Sequence, residues 1–434
     1  MIKKISHFIT KNDFTKNLIT LSSGTVLAQV IPFLFYPVIA RIFTPEEFGL
    51  LATLTAIFVL ITNFASGRYE LGILITKTKQ DAAHLAVLAI ALSFFVIIFI
   101  YLVLQLFFVN ILSEKLHEPQ LNQWLFICPI AAFSIIIYNT YNEWCVRNGY
   151  FKKLAGNKIT NSMAITTSKL IFGFVKVVPQ GLVVGDLIGR VFSAAACVFR
   201  AIQNDAAIFR EISVTRIKYV VKEFAEFPKL IMPGRLLNEI GKYLPVFFLG
   251  FYFSSVEVGY YSMTLLVLYA PMSMISFAIR DVFRQRANED YKKTGNCHTF
   301  YVKIFKILAI IAVFGSVVLI LCLPFIFSIF VGKQWDTAAH YAQILAIPSL
   351  LTFVATPLFD VLIIVNKLKI NLLWQIYYTA ITLLSLWIGC ALFHNVVIAL
   401  YCFAIGRSTA YLLSILLSYY YSKGNLLIIK TQNQ

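Results

Sequence analysis

Charged residues are so sparse in this chain that eight windows between consecutive charged side chains are long enough to cross a membrane. The hydrocarbon core of a bilayer takes about 20 apolar residues of α-helix. The windows are residues 17–40, 48–67, 82–113, 119–142, 258–279, 307–332, 337–359 and 370–406. Charged residues make up 13% of the 434 residues and hydrophobic residues 59%, which lies outside the composition of soluble domains. We therefore expect an integral membrane protein.

The same pattern predicts twelve transmembrane helices. The last window is too long for one helix and contains the turn-like sequence Phe393-His394-Asn395, so it predicts two. Three more helices, each carrying charge, are expected at residues 159–178, 182–203 and 230–253. The predicted fold is all-α, with the twelve helices in two six-helix bundles. The predicted segments are an N-terminal bundle (1–203), a cytoplasmic connector (204–229) and a C-terminal bundle (230–434).

The distribution of basic residues predicts the orientation. Of the 37 Lys and Arg residues, 28 lie at the N-terminus, in loops after even-numbered helices or in the C-terminal tail, whereas the loops after odd-numbered helices hold four. Loops rich in Lys and Arg stay on the cytoplasmic side. We therefore expect both termini in the cytoplasm. The formal net charge of +17 is then mostly a matter of topology, and no nucleic-acid partner is expected.

A weak internal repeat relates helices 1 and 2 to helices 7 and 8. A shift of 210 residues places residues 43–51 on residues 253–261 and matches a Phe, a hydroxyl residue, a Glu and a Gly without a gap. The same shift places Gly24 on Gly234. Because six helices separate the two copies, both have the same orientation in the membrane, as in transporters with parallel repeats. Chance similarity among apolar helices is the alternative.

Charged side chains inside the predicted helices are the strongest functional signal, because each costs about 2.5 to 3.5 kcal/mol at a helix centre and needs water or a partner. In helix 7, Arg235, Glu239 and Lys242 share one helical face. In helix 6, Asp186 and Arg190 lie one turn apart and form either a structural ion pair or part of a binding site.

Three further charges stand alone in the sequence: Lys169 in helix 5, Asp360 in helix 10 and Arg407 in helix 12. Asp360 and Arg407 are either interhelical partners or lie close to the membrane surface. Within the helices, five basic residues outnumber three acidic ones. A cationic interior favours an anionic substrate such as a phosphate or pyrophosphate, and disfavours a cationic drug.

Several segments resemble a known family. They are residues 23–29 (SGTVLAQ), 40–49 (ARIFTPEEFG), 67–73 (GRYELGI), 147–152 (RNGYFK) and 180–185 (QGLVVG). They are similar to the polysaccharide exporters of the multidrug/oligosaccharidyl-lipid/polysaccharide superfamily, above all the Wzx-type O-antigen flippases. The resemblance implies a twelve-helix, two-bundle protein of the bacterial inner membrane that flips an undecaprenyl-diphosphate-linked oligosaccharide to the periplasmic face. It also implies alternating access, a cationic central cavity and coupling to an ion or to the membrane potential.

These two lines of reasoning together give the candidate site residues. The candidates for binding the diphosphate or sugars are Arg235, Lys242, Arg190, Lys169, Arg68 and Arg280. The candidates for a coupling H⁺ or Na⁺, or for charge partners of the basic residues, are Glu239, Asp186, Asp360 and Glu70. The positions that correspond to the family's cationic cavity and ion coupling are the helix 7 cluster and Arg68 with Glu70. We expect no catalytic residue, no bound metal and no organic cofactor.

The expected partners are the undecaprenyl-diphosphate-linked glycan and inner-membrane lipids, with an O-antigen polymerase and a chain-length regulator as further candidates. One alternative is a cation-coupled multidrug exporter of the same superfamily, which the cationic interior disfavours. A second is a membrane-embedded O-antigen polymerase or ligase, which needs catalytic residues on a sizeable outward loop, whereas the outward loops here are short. A third is an assembly scaffold, which leaves the intramembrane charges unexplained.

Overall fold

The computed structural model describes residues 13–116, 120–176 and 180–424, and within them it contains twelve helices of 20 residues or more. These helices are α1 (Asp13–Ile42), α2 (Pro45–Ala65), α3 (Lys79–Val103), α4 (Ile127–Arg147), α5 (Phe151–Val175), α6 (Gly181–Arg210), α7 (Met232–Tyr252), α8 (Ser255–Thr294), α9 (His298–Ile326), α10 (Asp336–Leu358), α11 (Leu368–Trp387) and α12 (Val396–Ser422). The described residues contain no strand. The predicted all-α fold and the predicted number of long helices are confirmed for this part of the chain. The two predicted cytoplasmic termini, residues 1–12 and 425–434, lie outside it.

The surface of the described residues is that of a membrane protein. Eight of its helical segments are long and apolar enough to cross a membrane by length and composition alone. They correspond to α1, α2, α3, α6, α9, α10, α11 and α12. Large apolar side chains point outward, including Phe95 at 70% exposure and Leu321 at 73%. Apolar surface on this scale needs a lipid environment.

The four remaining long helices, α4, α5, α7 and α8, all carry charged residues. Helix α5 also begins earlier than predicted, at Phe151 rather than at residue 159, and α8 runs on to Thr294 rather than ending at residue 279. The prediction ended each span at a charged residue. A helix, however, continues past the bilayer surface, where its charged side chains reach water.

The starts of α2 and α8 support the internal repeat. Thr44 caps α2 by accepting a hydrogen bond from the backbone N–H of Glu47 (3.3 Å), and the carboxylate of Glu47 accepts one from the backbone N–H of Thr44 (2.9 Å). Ser254, which aligns with Thr44, caps α8 by accepting from the backbone N–H of Glu257 (3.3 Å). The aligned residues therefore mark equivalent helix starts.

The chain divides into two compact units after Glu239, within α7. In the N-terminal unit, the buried core includes Tyr69 and Trp144, and Val220 of a short connector helix, Val214–Glu223, packs into it. In the C-terminal unit, the core forms around Phe283 of α8 and its neighbours on α9 and α10. The predicted boundaries at residues 203 and 230 stay a prediction.

Ionic contacts also fix the connector helix to the N-terminal unit. Arg216 donates from Nε to Oδ1 of Asp81 (2.6 Å) and from Nη2 to Oδ2 (2.9 Å). These hydrogen bonds raise the pKa of Arg216 above its usual value. The connector helix is therefore an integral part of this unit.

Candidate functional site

Three glycines spaced by four residues bring the backbone of α6 against that of α5. They are Gly181, Gly185 and Gly189. A Cβ atom at Gly185 would lie 2.7 Å from Cα of Lys169, and one at Gly189 would lie 2.4 Å from Cα of Ile165. No larger residue fits at these distances, so the glycines allow the close approach of the two helices. As a result, Asp186, which follows Gly185, lies beside Lys169.

Asp186 is shared by two basic side chains. Lys169 Nζ lies 2.8 Å from Oδ1 of Asp186, and Arg190 Nε lies 2.5 Å from Oδ2. The side chains of Lys169, Asp186 and Arg190 are 10%, 5% and 22% exposed. The guanidinium of Arg190 also lies 4.9 Å from the ring centre of Phe58 on α2. We call Lys169, Asp186 and Arg190 the charge triad; it carries a surplus of one positive charge.

Helix α1 packs along the same face of α5. Pro32 has no N–H to donate to the carbonyl of Ala28, and the hydroxyl of Ser162 on α5 donates to that carbonyl instead (2.5 Å). One turn earlier on each helix, Lys158 Nζ donates to Oγ1 of Thr25 (2.8 Å). The proline therefore exposes a polar backbone atom that ties α1 to α5.

A cavity of about 470 Å³ lies among α1, α4, α5 and α6. The charge triad forms part of its wall, and Lys158 adds a further positive charge. Uncharged polar groups complete the lining, including Gln29, Tyr36, Tyr138, Asn161 and Thr166. Three basic side chains and one carboxylate thus face a space with many hydrogen-bonding groups. Such a space can bind an anion through charge-assisted hydrogen bonds and hydroxyl-rich groups through amides and hydroxyls.

Comparison with known proteins identifies the family. Residues 38–340 match the model of a family described as polysaccharide biosynthesis protein. The chain belongs to this family. No curated protein sequence matches the chain.

Solved structures show which fold this polysaccharide biosynthesis protein has. The lipid II flippase MurJ in an inward closed conformation superposes with a TM-score of 0.70 at 13% identity, over 93% of this chain and 87% of that one. An inward-facing multidrug resistance MATE family transporter of the MOP superfamily gives 0.63 at 15% identity, over 92% of each chain. The Vibrio cholerae MATE transporter VcmN in its bent form gives 0.51 at 13% identity, over 94% and 96%. The predicted MATE-like fold is confirmed.

The first pair of predicted site residues outside the cavity is Arg68 with Glu70. This polysaccharide biosynthesis protein places both in the tight turn after α2, where Gly67 and Arg68 have φ angles of 57° and 59°. Arg68 Nη1 lies 3.2 Å from Oε1 of Glu70, and Arg68 also donates to the side chain of Asn63. Glu70 is 3% exposed. The two residues stabilise this turn, and neither of them lines the cavity.

The second pair is Arg280 with Asp360, for which different roles were predicted: substrate binding for Arg280 and ion coupling or charge pairing for Asp360. Arg280 on α8 donates from Nε to Oδ2 of Asp360 (2.8 Å) and from Nη2 to Oδ1 (2.9 Å). Asp360 therefore pairs with Arg280 and not with Arg407. Arg407 lies instead against aromatic rings, with its guanidinium 5.2 Å from the ring centre of Phe403 and 5.4 Å from that of Tyr378. Stacking of this kind stabilises a buried cation without a carboxylate.

The helix 7 cluster lies on α7, where Arg235, Glu239 and Lys242 keep the spacing of one helical face. Each of the three makes interactions in the structure. The cavity of the N-terminal unit is lined from α1, α4, α5 and α6, without this cluster. Its role in binding stays a prediction.

Sequence reasoning missed most of the polar cavity wall, although α5 carries a readable signal. Five of its polar residues, Lys158, Asn161, Ser162, Thr166 and Lys169, follow the helical repeat, since 158, 162, 166 and 169 are spaced by three or four and 161 adjoins 162. That spacing places them on one helical face, as for apolar residues on an amphipathic helix. Within the described residues, no group of three or more His, Cys, Asp or Glu side chains is placed to hold a metal ion.

Proposed function

We propose that this protein flips an undecaprenyl-diphosphate-linked oligosaccharide, an O-antigen repeat unit, across the bacterial inner membrane by alternating access. The observation that carries the proposal is the cavity of the N-terminal unit, where Lys158, Lys169 and Arg190 outnumber Asp186. A diphosphate supplies the negative charge that this wall lacks. The family description, polysaccharide biosynthesis protein, and the shared fold of a lipid II flippase support the same substrate class.

The roles of the cavity residues follow from their chemistry. Lys169 and Arg190 bind the diphosphate, and the amides of Gln29 and Asn161 donate to and accept from sugar hydroxyls. Asp186 holds the two cations in place when the cavity is empty, and it is one candidate for a coupling H⁺ or Na⁺. The substrate phosphate then competes with Asp186 for the same two partners, so that binding loosens the contact between α5 and α6.

The other predicted residues receive different roles. Arg280 with Asp360 and Arg68 with Glu70 are structural ion pairs in this proposal, because each charge has a partner of opposite sign. Arg235 and Lys242 remain candidates for binding the diphosphate, with Glu239 as their charge partner or coupling group. Charge-neutral substitution of Arg235 or Lys242 is expected to abolish flipping without loss of membrane insertion, and full activity of both variants would remove them from the site.

The proposed orientation is the one that places the basic loops inside. Both termini then face the cytoplasm, and the oligosaccharide moves from the cytoplasmic to the periplasmic face. The protein works as a transporter and not as an enzyme in this proposal. An O-antigen polymerase and a chain-length regulator are its proposed partners on the periplasmic side.

The alternative is a cation-coupled multidrug exporter, which the shared fold of the MATE transporters favours. Reconstitution of the full chain into liposomes separates the two functions. The flippase proposal expects an undecaprenyl-diphosphate-linked oligosaccharide to become accessible to a membrane-impermeant glycosidase, and expects no accumulation of a cationic dye. Dye transport with no change in glycan accessibility would overturn the proposal.

A further inference from the structure

A second cavity, of about 390 Å³, lies in the N-terminal unit among α3, α4 and α6 and shares no lining residue with the first. Its size falls within the range of about 300 to 1,000 Å³ seen for small-molecule sites. Most of its wall is apolar, including Ile90, Ile137 and Ala201. Val198 and Ile202, at 40% and 62% exposure, connect it to the outer apolar surface. A lipid chain can therefore enter it from the side.

One end of this cavity is basic. The start of α3 and the ends of α4 and α6 meet there, since Lys79 Nζ lies 3.2 Å from Oδ1 of Asp205 and Trp144 Nε1 donates to Oδ2 of Asp205 (3.0 Å). Arg210, in the last turn of α6, lines the cavity at this end and is exposed. We call this the basic end.

Arg210 forms no ion pair with the neighbouring carboxylates that the structure describes. Asp205 is bound by Lys79, and Glu211 accepts a hydrogen bond from Nε2 of Gln80 (3.0 Å). In the part of the chain that the structure describes, no carboxylate lies within 4.0 Å of Arg210. An exposed guanidinium at the mouth of an apolar cavity is suited to a phosphate whose substituent is apolar.

Two buried hydroxyl groups line this cavity, those of Thr140 and Tyr141. Thr140 is 2% exposed, and its Oγ1 has no hydrogen-bond partner among the described residues. Buried hydroxyl groups are normally hydrogen-bonded. Thr140 lies about 6 Å along α4 from Trp144 of the basic end, given the rise of 1.5 Å per residue, and Ile137 lies about one turn deeper. From the basic end inward, the cavity thus offers a cation, then a hydroxyl donor, then apolar wall.

We propose that this cavity binds one acyl chain of an anionic glycerophospholipid, whose phosphate contacts Arg210 and whose ester carbonyl accepts a hydrogen bond from Thr140. This lipid has the same order of groups: phosphate, ester, hydrocarbon. A polyprenyl phosphate has no ester carbonyl and leaves Thr140 unsatisfied. The lipid is a resident ligand and not the transported substrate, so the proposal is independent of the flippase function.

Native mass spectrometry of the full chain, released from nanodiscs of phosphatidylglycerol and phosphatidylcholine, tests the proposal. The wild-type protein is expected to retain phosphatidylglycerol, and Arg210→Gln to reduce this retention about tenfold, as expected for a lost charge-assisted hydrogen bond. Lys218→Gln is the matched control, because Lys218 is an exposed basic residue of the connector helix that does not line the cavity. Equal retention in the Arg210 and Lys218 variants overturns the proposal.

Two further variants probe the cavity itself. Ala201→Phe fills it and is expected to abolish retention of phosphatidylglycerol, whereas Ala195→Phe, at an exposed position of α6 outside the lining, is expected to leave retention unchanged. Thr140→Val removes the hydroxyl at nearly constant volume and is expected to reduce retention of phosphatidylglycerol about threefold, which keeps the test valid if Ala201→Phe does not fold. Unchanged retention in folded Ala201→Phe or in Thr140→Val, or preferential retention of an added polyprenyl phosphate, overturns the proposal.

Discussion

The intramembrane carboxylates Asp186 and Asp360, one in each unit of this protein, have different ionic partners. In the N-terminal unit, Asp186 is shared by Lys169 at 2.8 Å and Arg190 at 2.5 Å, beside a polar cavity. In the C-terminal unit, Asp360 forms two hydrogen bonds with Arg280, at 2.8 and 2.9 Å. The first group carries a surplus positive charge, whereas the second is neutral. Because a poorly solvated charge needs a partner, the proposed function gives anion binding to the first group and structural support to the second.

The largest effect is expected from removing all three charges of the triad. The variant Lys169→Gln/Asp186→Asn/Arg190→Gln leaves no unpaired charge, so it is expected to fold. Two charge-assisted contacts to the diphosphate are lost, each worth about 10-fold or more, and the flipping rate in liposomes should fall at least about 100-fold. The matched control, Arg280→Gln/Asp360→Asn, removes the C-terminal pair and should keep its rate. Equal flipping rates in the two variants would contradict the proposed difference between the units.

Asp186→Asn alone tests the charge surplus. It leaves two poorly solvated cations side by side, and the free energy of unfolding should fall by about 3 to 5 kcal/mol, as when one partner of a buried pair is removed. Added pyrophosphate should raise the melting temperature of this variant more than that of the wild-type protein, since the anion replaces the lost carboxylate. Thermal unfolding with and without pyrophosphate measures both effects. A variant that is as stable as the wild-type protein, and whose melting temperature does not change with pyrophosphate, would contradict the surplus positive charge of the triad.

The aligned glycines of the repeat provide a smaller test. A Cβ atom at Gly24 would lie 2.4 Å from Cβ of Ala155 on α5, whereas one at Gly234 meets nothing within 4 Å. Gly24→Ala should therefore cost about 1 to 3 kcal/mol of unfolding free energy through overpacking of α1 on α5. Gly234→Ala should be neutral or stabilise by up to about 1 kcal/mol, because Gly disfavours a helix interior. Equal effects of the two substitutions would show that α1 does not pack on α5 as described.

The smallest effect is expected at the C-terminal pair. Because the side chain of Arg280 is 35% exposed, water screens much of its attraction to Asp360. A double-mutant cycle of Arg280→Gln and Asp360→Asn should give a coupling free energy of about 0.5 to 1 kcal/mol by thermal or denaturant unfolding. Flipping per folded molecule should not change in any variant of the cycle. A loss of flipping in a folded single variant would place this pair in the transport path.

Local sequence patterns predicted much of this fold. The scarcity of charge predicted nine of the twelve helices, and the turn at Phe393-His394-Asn395 does separate α11 from α12, with Asn395 capping α12. The spacing of four residues also predicted the contact between Asp186 and Arg190. Each of these features depends on residues close in sequence, where helix geometry fixes the distances.

Contacts between helices could not be derived in the same way. Lys169 reaches Asp186 because Gly185 and Gly189 set the register of α6 on α5, and no local rule gives that register. Arg280 and Asp360 are 80 residues apart, and the sequence assigned them to substrate and to a coupling ion. The sequence therefore predicted the residue types and the sign of charge of the candidate site. Which charged residues pair with one another became known only from the packed structure.

Binding of undecaprenyl diphosphate to the purified full chain tests the central claim most directly, because it needs neither sugars nor transport. Titration in nanodiscs should show binding to the wild-type protein and to Arg280→Gln/Asp360→Asn with similar Kd values. The variant Lys169→Gln/Asp186→Asn/Arg190→Gln should bind at least about 100-fold more weakly, because both charge-assisted contacts to the diphosphate are gone. A folded triple variant that binds as tightly as the wild-type protein would contradict the assignment of the anion site to the cavity of the N-terminal unit.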